Sequence, residues 1–221
     1  MQALIQGFVR LVTIPRQWHG AKGMLARIQY LVEGLFRSTA TLFFKLGISP
    51  NGVTALGFLL TVASAALFAT GLPTGFAWAA CFAALVVGSY FDALDGAMAR
   101  KYARTSKIGG IMDSVLDRLG EVAIFSGIAV GGLAPPLLCL WAISASLMVS
   151  YVRARVSVEG ITLKGVGIAE RPERLLVIFV ATIASLFNRS AMYWAVFLIA
   201  GLASLTVAER LYKTGKALVK N

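Results

Sequence analysis

Charged residues are scarce in this sequence of 221 residues, where they make up 14% of the total, against about 25% in an ordinary soluble domain. Histidine and cysteine are scarcer still, with one histidine and two cysteines, too few for a zinc site of the usual spacing. Cys81 and Cys139 both fall inside apolar stretches, where we expect small buried hydrophobic residues. No cleavable signal peptide is recognisable at the start. These absences argue against a soluble domain and against a zinc protein.

Apolar residues make up 58% of the sequence and form long stretches that contain no charged residue. The first runs over 51–91 without a single charge, which is too long for one membrane span. About 20 apolar residues in a helix cross the bilayer core, so each long stretch predicts a pair of transmembrane helices. The predicted pairs lie in 51–91, 122–152 and 172–208, and they are broken near 71–73, at 131–136 and around Arg189.

A helix of a different kind is predicted before the first span. Between Ile28 and Leu46 apolar residues recur at helical spacing, and charged or polar residues occupy the other side, as in a helix that lies in the membrane interface. Ser49 and Pro50 then form a start signal for the first span. The predicted fold class is an all-α integral membrane protein: a six-transmembrane-helix bundle (49–221) preceded by an arm and juxtamembrane amphipathic helix (1–48).

The net charge of +11 is concentrated on one side of the predicted membrane. Basic residues cluster in the N-terminal region, in 100–107, in 153–174 and in the C-terminal tail, whereas the loops of the other side carry Arg189 alone. By the positive-inside rule the basic side is cytoplasmic, and the basic residues there meet anionic membrane lipids rather than nucleic acid. We therefore expect a multi-pass protein of the cell membrane with both termini in the cytoplasm.

Four aspartates stand where the second span ends and the third begins, on the cytoplasmic side. Asp92 and Asp95 are three residues apart, and Asp113 and Asp117 are four apart, so each pair shares one helical face. A short loop over 101–107 makes the two helices antiparallel neighbours and lets the carboxylates meet. Such a set of hard oxygen ligands favours Mg²⁺, Mn²⁺ or Ca²⁺ over zinc, and because Mg²⁺ commonly partners phosphates, a phosphate-bearing substrate is implied. Left open at this point are a structural polar cluster and a cation or proton pathway in a transporter.

Small and basic residues accompany these aspartates. Gly96 and Gly109 lack side chains and would let a ligand approach the backbone closely. Arg100, Arg104 and Lys107 offer contacts to an anion.

The whole stretch resembles the signature of the CDP-alcohol phosphotransferase family, D-x2-D-G-x2-A-R-x8-G-x3-D-x3-D, at every specified position. The resemblance implies a homodimeric membrane enzyme that transfers a phosphate-linked group from a CDP-alcohol, commonly CDP-diacylglycerol, to the hydroxyl of a second alcohol and releases CMP. It also implies that Asp92, Asp95, Asp113 and Asp117 bind divalent metal, as a pair of Mg²⁺ or Mn²⁺ ions. Asp117 would in addition be the catalytic base. The implied CDP-binding residues are Gly96, Ala99, Arg100 and Gly109.

The second cytoplasmic loop bears on the acceptor alcohol. Its arginines suit a second phosphate, so a phosphorylated acceptor is favoured over a neutral one, although topology and contact with lipid headgroups would also explain single arginines. Glu121, near the aspartates, is expected to support or pair rather than to bind metal directly. The predicted acceptor-phosphate residues are Lys107, Arg118, Arg153, Arg155, Arg171 and Arg174.

Two segments of that loop, Ser-Tyr-x-Arg-Ala-Arg (150–155) and Glu-Arg-Pro-Glu-Arg (170–174), resemble the subgroup that uses inositol phosphate. This subgroup includes the phosphatidylinositol phosphate and archaetidylinositol phosphate synthases. The resemblance implies 1D-myo-inositol 3-phosphate as the acceptor, with glycerol 3-phosphate as the alternative within the family.

Overall fold

The computed structural model describes residues 24–71, 75–163 and 165–218, and describes side chains from residue 34 onward. The regular secondary structure of these residues is entirely helical. Residues 1–23, which form most of the predicted N-terminal arm, lie outside the described residues. The helices are α1 (Met24–Lys45), α2 (Pro50–Ala69), α3 (Gly75–Lys101), α4 (Lys107–Val130), α5 (Pro136–Ser157), α6 (Arg171–Ala184) and α7 (Ser190–Leu218).

Helices α2 to α7 follow the predicted segments, because local start signals are present where the apolar stretches begin. Pro50 opens α2, and the Ser49 side chain accepts a hydrogen bond from the Gly52 amide at 3.2 Å. In the same way the Ser106 side chain accepts a bond from the Gly109 amide at 3.0 Å at the start of α4. Helices α5 and α6 also begin with a proline in their first turn. The predicted boundaries at Lys101 and Lys107 are confirmed.

Four of the described helices are long and apolar enough to cross a membrane: α2, α3, α5 and α7. This confirms an all-α membrane protein. Helix α6 is only 14 residues long, whereas α4 has 24 residues but carries the charges of Asp113, Asp117 and Glu121 among its apolar residues. Length and composition therefore bear out only the coarser part of the six-span prediction.

The chain divides into two compact units, and their boundaries fall inside helices. Unit 1 contains α1, the beginning of α2 (to Leu59), and the stretch from Val87 to Asp117. Its core is formed by Ala40, Val53, Leu94 and Met98, with aromatic residues of α1 and α3 packed around them. Gly57 lets α2 approach α3 closely, since a methyl group there would lie 3.1 Å from the Gly88 carbonyl oxygen and 3.3 Å from the Asp92 amide.

Unit 2 contains the end of α2 (from Leu60), the beginning of α3 (to Val86), and the stretch from Arg118 onward. Helix α7 packs against α5 and α6, and a large apolar core that includes Phe68, Phe125 and Ile199 fills the unit. Gly127 and Gly131 of the α4 segment lie so close to the backbone of α2 that a methyl group at either would overlap a carbonyl oxygen. Glycine at these positions therefore serves close helix packing.

Candidate active site

Three of the four signature aspartates come together in unit 1. Asp92 of α3 and Asp113 and Asp117 of α4 each offer a carboxylate oxygen, and these oxygens lie within 4.8 Å of one another. All three side chains are partly exposed. The arrangement arises because the short turn over 102–106 brings the end of α3 beside the start of α4. Oxygens gathered at this distance can share one divalent cation.

The fourth aspartate, Asp95, lies outside this group but faces the same cavity as Asp113. Its side chain is only 6% exposed, and its Oδ2 atom is buried without a hydrogen-bond partner. A buried carboxylate oxygen that no donor satisfies is costly. The all-oxygen donor set and this unsatisfied oxygen both fit a hard divalent ion, which neutralises carboxylates by binding them directly.

A cavity of about 280 Å³ adjoins these aspartates within unit 1. Its wall includes all the CDP-binding residues that the sequence predicted, among them Arg100. The turn between α3 and α4 contributes a second basic side chain, Arg104. Signature residues of two helices thus converge on one cavity. The lining residues are Pro50, Asn51, Thr54, Asp95, Gly96, Ala99, Arg100, Arg104, Thr105, Ser106, Gly109, Gly110 and Asp113.

The beginning of α2 supplies a wall of this cavity that sequence reasoning missed. Pro50, Asn51 and Thr54 lie outside the signature; Pro50 was interpreted only as part of a helix start, and the other two were given no role. A methyl group at Gly109 would lie 2.9 Å from the Asn51 Oδ1 atom and 2.8 Å from the Ser106 Oγ atom, so glycine keeps this corner open. The polar residues Asn51 and Thr54, one and four positions after Pro50, were the available signal, but they resemble ordinary residues of a helix N-terminus.

The predicted acceptor-phosphate residues are distributed over both units. Lys107 opens α4 in unit 1 and is exposed. Arg153 and Arg155 are exposed in unit 2, where Arg155 pairs with Glu159 at 2.6 Å and Arg153 lies 3.9 Å from Glu170. Two further predicted residues, Arg118 and Arg171, are partly exposed and also belong to unit 2. Both interact with neighbouring groups.

Arg174 has a different environment from these exposed residues. It is 3% exposed, and its Nε and Nη2 atoms donate to the two carboxylate oxygens of Glu121 at 2.5 and 2.9 Å. Its Nη1 atom donates to the Ala169 carbonyl at 2.6 Å. The expected pairing role of Glu121 is thereby found, with Arg174 as its partner. A guanidinium whose three nitrogens bind protein acceptors is held inside unit 2, so Arg174 joins α4 to α6.

A second buried arginine was missed by the sequence analysis. Arg210 of α7 is 1% exposed and donates to the Val149 carbonyl at 2.6 Å, to the Val166 carbonyl at 2.9 Å and to Glu170 at 2.7 Å. It thus ties the 158–170 loop to helices α5 and α7. In the sequence, Arg210 reads as one of several tail charges that set topology.

The profile of the CDP-alcohol phosphatidyltransferase family matches residues 47–207. This chain belongs to that family. It is therefore an enzyme, which decides against the transporter alternative, and the resemblance carried by the aspartate signature is confirmed.

Several relatives carry named activities. The archaetidylinositol phosphate synthase of Pyrococcus horikoshii is 39% identical over 88% of this chain and 98% of its own length. The phosphatidylinositol phosphate synthase of Corynebacterium glutamicum is 34% identical over 80% of this chain and 83% of its own. The similarity therefore extends over nearly the whole family domain and includes proteins of the inositol phosphate subgroup.

Solved structures of the phosphatidylinositol phosphate synthase of Mycobacterium tuberculosis have the same fold. The structure with CDP-DAG bound has a TM-score of 0.72 at 28% identity, covering 81% of this chain and 92% of that one. The structure with manganese and citrate has a TM-score of 0.71 at 28% identity and covers 81% and 88%.

Proposed function

We propose that this enzyme transfers a phosphatidyl-type group from a CDP-linked lipid, CDP-diacylglycerol or a similar donor, to the hydroxyl of an inositol phosphate and releases CMP. The observation that carries the proposal is the gathering of three carboxylates, one of which, Asp113, lines the same cavity as the signature residues Gly96, Ala99, Arg100 and Gly109. The relatives named for inositol phosphate products support the acceptor. The preferred acceptor is 1D-myo-inositol 3-phosphate.

The metal site follows from the same residues. Asp92, Asp113 and Asp117, with the buried Asp95 beside them, would hold Mg²⁺ or Mn²⁺ as a pair of ions. The bound metal supplies Lewis-acid stabilisation of the donor's phosphate charge. Manganese in the structurally similar Mycobacterium tuberculosis enzyme supports a divalent ion here.

The protein's own groups account for positioning and proton transfer. The backbone at Gly96 and Gly109 admits the donor's nucleotide end, and Arg100 contacts its phosphates. Asp117 takes the proton of the acceptor hydroxyl, and that oxygen attacks the lipid-side phosphorus of the donor. The bond from this phosphorus to the bridging oxygen breaks, and CMP leaves with that oxygen.

The acceptor's own phosphate needs a second basic site. We propose that Lys107, Arg118, Arg153, Arg155 and Arg171 provide its contacts. Arg174 belongs to this site as a positioning residue, since its bonds to Glu121 and Ala169 fix the first turn of α6, which begins with Arg171.

The same proposal includes the finer features of membrane placement. Helices α2 to α7 would provide six spans, with α1 lying in the interface and with both termini and the aspartates in the cytoplasm. The family domain would comprise 49–221, and the enzyme would act as a homodimer. The family match from residue 47 supports the position of that boundary.

The test is CMP release by the purified protein in lipid nanodiscs with Mg²⁺, against a panel of CDP donors and alcohol acceptors. We expect turnover with CDP-diacylglycerol or its ether-lipid counterpart and inositol phosphate. The Asp117→Asn variant should retain donor binding but release CMP at least about a hundredfold more slowly. Turnover with glycerol 3-phosphate and none with inositol phosphate would overturn the acceptor assignment, and full turnover by Asp117→Asn would remove the proposed base.

A further inference from the structure

The turn that joins α3 to α4 has a backbone conformation that its own sequence does not favour. Ala103 has a φ of 51°, and it is the one residue other than glycine with a positive φ in the described part of the chain. The Arg104 amide donates to the Ala99 carbonyl at 2.9 Å, and the Ala103 amide lies 3.5 Å from the Arg100 carbonyl. This is the Schellman arrangement of a helix end, in which glycine is the usual residue at the position of Ala103. Contacts from outside the turn must therefore help to hold it.

Those contacts come from the last turns of α1, also in unit 1. The Thr41 hydroxyl accepts hydrogen bonds from the Lys101 ammonium at 3.0 Å and from the Tyr102 hydroxyl at 3.3 Å. The Phe44 ring stacks on the Tyr102 ring, with centroids 3.9 Å apart and planes 7° apart. Thr41 and Phe44 thus hold both residues that precede Ala103.

Phe44 also contacts the residue that follows Ala103. The Arg104 guanidinium carbon lies 5.0 Å from the centre of the Phe44 ring, within the range of a cation–π interaction. Arg104 in turn lines the cavity together with Asp95 and Arg100. Its position is one of the unspecified spacer positions of the family signature. The direction of its side chain is therefore set by α1 and not by the signature helices alone.

We infer that Thr41 and Phe44 are positioning residues for donor binding: they hold the 102–106 turn so that Arg104 forms part of the cavity wall and contacts the phosphates of the CDP-linked donor. The inference rests on the proposed function only in taking that donor as the ligand of the cavity. Arg104 supplies a charge that complements the donor diphosphate, and α1 orients it before the donor arrives.

The test compares single variants of the full-length protein in nanodiscs. Phe44→Leu removes the ring beneath Arg104, Thr41→Val removes the hydroxyl, and Phe44→Trp keeps a ring at the same place. Thr39→Val is the matched control, because the Thr39 hydroxyl likewise accepts a bond from an α3 tyrosine, Tyr90 at 2.8 Å, but not from the turn. Isothermal titration with CDP and Mg²⁺, the KM for CDP-diacylglycerol, kcat and Tm are measured for each.

We expect Phe44→Leu to weaken CDP binding and to raise the donor KM by about two- to fivefold, the equivalent of one cation–π contact, with kcat changed by less than about twofold. Thr41→Val should shift both quantities in the same direction, whereas Phe44→Trp and Thr39→Val should not. In an Arg104→Gln background, Phe44→Leu should have no further effect on CDP affinity, since the ring acts through Arg104.

Three outcomes overturn the inference alone: an active wild type whose CDP affinity and donor KM do not respond to Phe44→Leu, equal effects of Thr41→Val and Thr39→Val, or full additivity of Phe44→Leu with Arg104→Gln. A lower Tm of Phe44→Leu with unchanged CDP affinity would likewise contradict the inference, because Phe44 would then contribute only to packing. A wild type that neither binds CDP nor releases CMP from any CDP donor overturns the proposed function itself, and this inference with it.

Discussion

Acidic side chains are arranged in opposite ways in the two units. In unit 1 the carboxylates of Asp92, Asp113 and Asp117 are gathered within 4.8 Å of one another. In unit 2 Glu121 and Glu170 each accept hydrogen bonds from an arginine that is almost fully buried. Gathered like charges become favourable when a cation is bound, whereas a bidentate arginine satisfies a carboxylate permanently. The gathered acids of unit 1 are therefore arranged as they would be to bind a cation, whereas Glu121 and Glu170 of unit 2 connect segments of the fold through buried arginines.

The largest effect on activity is expected from neutralising one of the gathered carboxylates of unit 1. We expect Asp113→Asn to lower CMP release by about a thousandfold, since metal binding and charge stabilisation at the donor both depend on this oxygen. Mn²⁺ binding, followed by electron paramagnetic resonance, should weaken in parallel. Because Asp113 is partly exposed, Tm without metal should change less than in the next variant. An active Asp113→Asn protein with unchanged Mn²⁺ affinity contradicts this view of unit 1.

The second largest effect concerns the buried pair of unit 2. Arg174→Met leaves the Glu121 carboxylate buried at 8% exposure without its bidentate partner, which should cost about 3 kcal/mol or more of unfolding free energy. The measurement is reversible unfolding in detergent or thermal unfolding in nanodiscs. The double variant Arg174→Met, Glu121→Leu removes both charges and should recover a large part of the loss. A destabilisation that the double variant makes worse would contradict the ion-pair explanation.

The smallest effects are expected at two glycines, one in each unit, and they test whether the two units differ in function. Gly109→Ala would place a methyl group against Asn51 and Ser106 in the cavity, so we expect the donor KM to rise by about tenfold with little loss of stability. Gly127→Ala would press a methyl group onto the α2 backbone in unit 2 and should lower the unfolding free energy by about 1–3 kcal/mol while the donor KM stays constant.

Gly201→Ala is the control for both glycine variants, because a methyl group there meets no atom within 4 Å. It should stabilise α7 by up to about 1 kcal/mol through helix propensity. Equal effects of Gly109→Ala and Gly127→Ala on Tm and on KM would remove the distinction between the two units.

The helices and the acidic cluster were largely predictable because their causes are local. Charge-free stretches, prolines and serines set the starts of α2 and α4, and the three- and four-residue spacings of the aspartates set their helical faces. The wall formed by Pro50, Asn51 and Thr54 was not predicted, since its contribution depends on which helix end packs beside the signature.

The arginines show most clearly which features the sequence could not predict. Arg153, Arg155, Arg174 and Arg210 are all basic residues near the ends of predicted spans, and nothing in their spacing separates them. The structure leaves the first two exposed and buries the last two among carbonyl and carboxylate oxygens. Whether an arginine faces a ligand or joins helices depends on the acceptors that other segments bring to it.

The amino-acid sequence by itself determined the membrane class, the starts of helices such as α2 and α4, and the shared helical faces of the aspartates, because apolar length, start signals and helical periodicity act over a few residues. Only the tertiary structure decided which carboxylates meet, which arginines are buried, and that α1 holds the turn carrying Arg104. The physical reason is that burial and hydrogen-bond satisfaction belong to groups from distant segments, which become neighbours only after the chain has folded.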